Sequence, residues 1–261
     1  MLRNRLLILA ALGFTLLALI RFSGCGQIAR STASEKIREK LPDLIGPADS
    51  YQVTLDSGVQ DMLKGRAEKI QIIGKRVRPK SSPIVDFLQV DLSRIEVDLP
   101  RKSLKSLEKC TFQAQFLERD LNDYLVEYQR EHPLKGDQGR SSGSHEISEA
   151  RLSLGDRELS LRASFKTPIL GMIPVQAPIG LAGSIEVKDK VLLYFVPRSM
   201  DVAGVSLPKP LAEALLAKIN PVADLSKLSV PTRVSKIEIR PGLLWVEGEA
   251  DLPIPEARQT R

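Results

Sequence analysis

From residue 50 onward, apolar and polar side chains alternate with a period of two. In "ELSLRASFK", Leu159, Leu161, Ala163 and Phe165 fall on one face and Ser160, Arg162, Ser164 and Lys166 on the other. "CTFQAQF" repeats this with Cys110, Phe112, Ala114 and Phe116. Alternation of this kind predicts half-buried strands in antiparallel sheets. In "FLQVDLSRIEVDL", Leu88, Val90 and Leu92 share one phase, while Ile95, Val97 and Leu99 are shifted by one, which predicts a bulge that bends the sheet. Residues 167–185, "TPILGMIPVQAPIGLAGSI", carry no charge at all. Pro168, Pro174, Pro178, Gly171, Gly180 and Gly183 exclude a helix there. Instead Val175, Ala177, Ile179, Leu181, Gly183, Ile185 and Val187 line one face of a strand entered through the loop "TPILGMIP". "KIEIRPGLLWVEGEADL" reads as a hairpin turning at Pro241 and Gly242.

Helical patterns are few. "SEKIREKLPDLIG" predicts a short helix capped by Ser34 and stopped before Pro42, and "VQDMLKG" another ending at Gly65. "LERDLNDYLVEYQREHP" places Leu117, Leu121, Tyr124, Leu125 and Tyr128 along one stripe and stops at Pro133. "PLAEALLAKINP" carries only Glu213 and Lys218 as charges, which predicts burial on most sides. Residues 133–146 are polar and glycine-rich, the composition of a loop. The pattern is α+β with antiparallel sheets.

Charge and cysteine content narrow the classes. The net charge of +6 is inflated by Arg3, Arg5 and Arg21, because the first 25 residues hold no acid. With aromatics at 5%, the near-balanced remainder lacks the concentrated basic face of a nucleic-acid binder. Cys25 and Cys110 make no disulfide framework, and His132 and His145 leave little for zinc. Arg3 and Arg5 precede an apolar run over residues 6–20, followed by the small residues Ser23, Gly24, Cys25 and Gly26. That is the layout of an export signal. The run makes roughly 22 Å of helix against a hydrocarbon core of about 30 Å. Three fates stay open, in this order: an uncleaved anchor with Arg21 snorkelling, a cleaved signal, or lipid modification at Cys25. Residues 1–30 are thus expected to be a signal or anchor, and residues 31–261 one domain on the outer face of the cytoplasmic membrane.

"LKGRAEKIQIIGKRV", "LQVDLSRIEVDLP", "CTFQAQFLERDLNDYL" and "AKINPVADLSKLSVPTRVSKIEIRPGLLWVEGEA" together resemble the LmeA family of bacterial phospholipid-binding proteins, over residues 35–252. The resemblance rests on Leu63-Lys64-Gly65-Arg66, Asp120-Leu121-Asn122, Ile219-Asn220-Pro221, Asp224-Leu225-Ser226 and the closing hairpin from Pro231 to Glu249. It implies an exported or anchored protein of cell-envelope lipid maintenance. The implied fold is similar to tubular lipid-binding domains, a strongly curved antiparallel sheet wrapped around one or two helices. It carries over no ligand residue.

A curved, half-buried sheet over an apolar helix makes either a packed core or a lined cavity, and an acyl chain entering a cavity gains about 0.8 kcal/mol per buried methylene. The expected lining is Leu170, Met172, Ile173, Ile179, Leu181, Leu215 and Ile219. Lys75, Arg76, Arg78 and Lys80 lie in "GKRVRPKSSP", which holds no acid: either a solvated hairpin loop or a cluster that suits anionic headgroups at a membrane surface. Trp245 faces opposite to Leu244 and Val246, at an interface or over its neighbours. Catalysis finds no support. Ser144-His145 sit in the loop, Asp120, Asp123, Glu118 and Glu127 read as helix-start charges and a polar face, and Cys110 is expected to be a buried, inert thiol. No cofactor or metal is implied. The expected function is a non-catalytic phospholipid carrier. The alternative is an envelope scaffold with a packed core and a protein partner yet to be identified.

Overall fold

A computed structural model of the protein describes residues 26–80, 82–99, 103–131, 146–169, 173–227 and 230–252. The alternating segments become antiparallel strands in two sheets. Sheet I orders β1 (Ser50–Asp56), β2 (Arg66–Val77), β3 (Val85–Asp98), β4 (Ser103–Leu117), β12 (Leu243–Ala250) and β11 (Thr232–Arg240). Sheet II orders β10 (Ala223–Asp224), β8 (Leu192–Val202), β7 (Ile173–Lys188), β6 (Leu159–Ile169) and β5 (Glu146–Leu154), with β9 (Val205–Ser206) also on β8. The helices are α1 (Gly26–Leu44), α2 (Val59–Leu63), α3 (Glu118–Glu131) and α4 (Lys209–Ile219). The class is α+β, as expected, but among the described residues there are two open sheets rather than one closed wrap.

Helix α1 departs from its sequence reading. It begins at Gly26 rather than at Ser34, and it includes Pro42. Pro42 falls near the end of the helix, where its missing N–H strands only the carbonyl of the exposed Arg38, which water can solvate. Ala33, Ile37 and Leu41, four residues apart, make a buried stripe. They join Tyr51, Leu55, Ile70, Ile72, Leu92 and Ile95 in one buried cluster that includes α1, α2 and sheet I. Inside it the Tyr51 hydroxyl donates to the Gly46 carbonyl at 2.7 Å, and burial pushes its pKa up to about 12.

The phase slip in β3 is an irregular residue rather than the expected bulge at that point, because Leu92, Ser93 and Ile95 keep one register with both β2 and β4. Arg94 adopts a left-handed φ of 47° between Leu92 and Ile95, and the register to β4 shifts at Glu96/Val97. The irregularity keeps both Leu92 and Ile95 on the buried side.

The sheets meet along the outer edge of β11. Lys190, in the turn between β7 and β8, accepts a bond from the Val234 N–H at 2.7 Å. Arg157, in the β5–β6 turn, donates its N–H to Ile239 at 3.1 Å, and Leu154 accepts from Gly242 at 2.9 Å. Hairpin ends of sheet II thus satisfy backbone groups along an edge that would otherwise stand open. Leu154, from the apolar face of sheet II, and Val234 and Ile239, from that of sheet I, are buried at this junction.

Gly65 closes the turn into β2. Its φ is +73°, its carbonyl accepts from Val97 at 2.8 Å, and a Cβ there would lie 2.4 Å from the Val97 oxygen. Gly65→Ala is expected to lower stability by about 1–3 kcal/mol, read as a fall in the urea midpoint at constant slope. An unchanged midpoint would show that the β2–β3 end relaxes freely.

Candidate functional site

Sheet II presents one continuous apolar face. Its register sets Ile179 beside Ala163 and Val202, Leu181 beside Leu161 and Met200, Ile185 beside Phe195, and Val187 beside Leu193. Met200 and Phe195 are buried, while Leu161, Ile179, Leu181, Ile185, Val187, Leu193 and Val202 are half-buried. Among the described residues, none of these belongs to the buried cluster under α1. Sheet I packs its apolar face under a helix, and sheet II leaves much of its own part-open. The opposite face carries Arg162, Ser164, Gln176, Ser184, Glu186 and Lys188, as the period-two pattern requires.

The expected lining divides three ways. Ile179 and Leu181 stand on this face. Ile173 opens β7, and Leu215 and Ile219 lie on α4; only their backbone positions are described. Leu170 and Met172 lie outside the described residues, as do the apolar run 6–20, Cys25 and the loop 133–145. The loop read over "TPILGMIP" is shorter than expected, because β6 runs to Ile169 and pairs it with Ile173. Burial of α4 on most sides is not what its described positions show, since Lys209, Pro210, Glu213 and Ala217 are exposed. No helix among the described residues is long and apolar enough to cross a membrane.

Of the basic quartet, Lys75, Arg78 and Lys80 are exposed, with Arg78 paired to Asp49 at 2.7 Å. Arg76 does not share their surface. It takes a left-handed φ of 52° and grips Asp120 on α3 with both terminal nitrogens, and Asp86 at 3.3 Å. The bond to Asp120 holds the Arg76 guanidinium still more firmly in its charged form. Asp120, read from sequence as a helix-start charge on a polar face, is only 3% exposed. The basic loop contains no acid, so the partner could not be seen locally; it lies 44 residues away.

Sequence reasoning also missed two asparagines. On α3, Asn122 accepts the Leu152 N–H at 2.8 Å and donates to the Leu152 carbonyl at 2.8 Å. Past α4, Asn220 does the same to Phe195, with both bonds at 2.8 Å. Each side-chain amide mimics a strand residue, one on β5 and one on β8, which flank β6 and β7. Trp245 covers a neighbour, stacking on Phe87 with centroids 6.1 Å apart and donating to Glu247 at 2.8 Å. Cys110 is buried, and desolvation pushes its thiol up to about 11.

Open antiparallel sheets, one packed under a helix and one with an apolar face left part-exposed, define a β-rich α+β protein. The chain belongs to the LmeA-like phospholipid-binding family, whose sequence pattern matches residues 23–249. No curated protein matches it. The motifs that carried the resemblance now have physical roles: Asp120 neutralises Arg76, Asn122 and Asn220 hold strand edges, and Gly65 makes a turn that no Cβ fits.

Asn122→Ala and Asn220→Ala each remove the two bonds to a strand residue and leave its backbone groups unmatched, at an expected cost of about 1–3 kcal/mol. Amide exchange at Leu152 should quicken in the first variant and at Phe195 in the second. Unchanged protection at those amides would show that the clamps are dispensable.

Proposed function

We propose that the protein holds or carries a phospholipid in the cell envelope, with acyl chains lying on the apolar face of sheet II and no chemistry performed on the lipid. The observation that carries this is the row of half-buried side chains from Leu161 through Ile179 and Leu181 to Val202, which stands outside the buried cluster. Membership of a phospholipid-binding family supports the same reading. Each methylene laid on such a face gains about 0.8 kcal/mol, so a chain can be retained with no polar motif beneath it. In this reading the register shifts at Glu96/Val97 and at Ala182/Gly183 curve the sheets toward the ligand. Residues 1–30 serve as the signal or anchor that delivers residues 31–261, as one lipid-binding domain, to the outer face of the cytoplasmic membrane. Lys75, Arg78 and Lys80 face the anionic membrane surface, each contributing about 1 kcal/mol near it.

Native mass spectrometry of the protein purified without detergent is expected to show a stoichiometric lipid adduct. Ile179→Asp and Leu181→Asp should lose it while keeping the wild-type circular dichroism. A bare wild-type mass after incubation with phospholipid vesicles would overturn the reading and favour a scaffold. Separately, changing Lys75, Arg78 and Lys80 to Ser should weaken co-flotation with anionic vesicles, most at low salt. Equal flotation would show that these side chains are merely solvated.

A further inference from the structure

A cleft of about 650 Å³ lies between α3 and the polar side of β5 and β6. Its volume is in the range of small-ligand sites. On its strand wall Arg151 stands directly opposite Arg162, and Ser153 opposite Ser160; its helix wall brings Arg119 and Asp123.

The arginine pair exists because of a bulge. Ser148 pairs with Ser164, and in unbroken register Ala150 would then face Arg162. Instead the register shifts between Ser148 and Arg151, with Glu149 at a left-handed φ of 55°, and the inserted residue brings Arg151 opposite Arg162. Like charges directly across a ladder destabilise it. Among the described residues neither guanidinium has an ion-pair partner within 4.0 Å.

The nearby acids do not relieve this. Glu118 is occupied by the Leu154 N–H at 2.7 Å and the Ser153 hydroxyl at 3.5 Å. Arg119 reaches Asp120 only at 3.9 Å, and Asp120 is already held by Arg76. Asp123, exposed on α3, is the one remaining carboxylate of the lining. Three guanidinium groups around an open cleft suit an anion with several acceptor oxygens in a plane or tetrahedron, which arginine forks match.

We propose that this cleft binds a phosphate group, gripped by Arg151 and Arg162 and assisted by Arg119 and the Ser160 hydroxyl. The phosphate chemistry stands on the arginine pair. That a phospholipid headgroup supplies it rests on the membrane association proposed above, the headgroup belonging to a lipid of the membrane surface and not to the one carried across the sheet on the apolar face.

The test is the melting temperature of the full chain against inorganic phosphate at constant ionic strength, for wild type and for Arg151→Gln/Arg162→Gln. Wild-type Tm should climb with phosphate. The double variant should begin at least as high, freed of the like-charge contact, and show a response about tenfold or more weaker. Arg151→Lys/Arg162→Lys should keep part of it. A merely structural role predicts instead a lower starting Tm in the Gln variant. That result, or a flat wild-type curve, would overturn the proposal. Flotation on phosphatidylcholine vesicles with and without phosphatidic acid identifies the source. Binding lost in the Gln variant assigns the site to a headgroup, and unchanged binding with the phosphate response intact assigns it to free phosphate. A bare mass in native mass spectrometry alongside an intact phosphate response would sink the carrier function and leave the cleft standing.

Discussion

The outer edge of β11 is the constraint on which the rest depends. An edge strand exposes N–H and C=O groups that must find water, another chain or a cap. Here the turns at Leu154–Arg157 and at Lys190 supply the cap, and in doing so fix where sheet II stands. The seam also brings Leu154, Val234 and Ile239 into burial together, so the apolar faces of the two sheets meet there. Sheet II therefore need not pack a helix over its whole apolar face to be held in place. Directional backbone bonds position it, and most of the described apolar side chains on its face stay half-buried.

Helix α3 supplies the second connection. Asp120 ties it to Arg76 in sheet I, and two residues later Asn122 ties it to Leu152 in sheet II. The first bond is charge-assisted and its carboxylate is buried, which makes it costly to break. The second satisfies both backbone groups of one residue on an edge strand. Cleft and apolar face lie on opposite sides of sheet II, and each depends on α3 or on the seam for its position.

The strands were legible because burial on one face writes itself into every second residue. β6 and β7 follow from Leu159, Leu161 and Ala163 and from Ala177, Ile179 and Leu181, and the kink of β3 follows from the slip between Leu92 and Ile95. Signals that depend on distant partners were not legible. A carboxylate in the first turn of a helix reads as a solvated charge unless the arginine 44 residues earlier is known to reach it. Asn122 and Asn220 act on backbone atoms, which have no sequence identity to match. Arg151 and Arg162 become neighbours only through a bulge at Glu149, in a segment whose alternation alone would put Ala150 there. The start of α1 was missed because its early residues, from Gly26 to Thr32, offer neither an apolar stripe nor a sharp cap.

One feature of α3 has a mechanical side. Its fourteen residues span about 21 Å, and three of its fastenings, Glu118, Asp120 and Asn122, lie within its first five. Val126 and Tyr128, farther along, are exposed. The first turn and a half of α3 is thus a rivet through two plates. Fraying of that short stretch would release sheet I and sheet II together, at Arg76, Leu152 and Leu154.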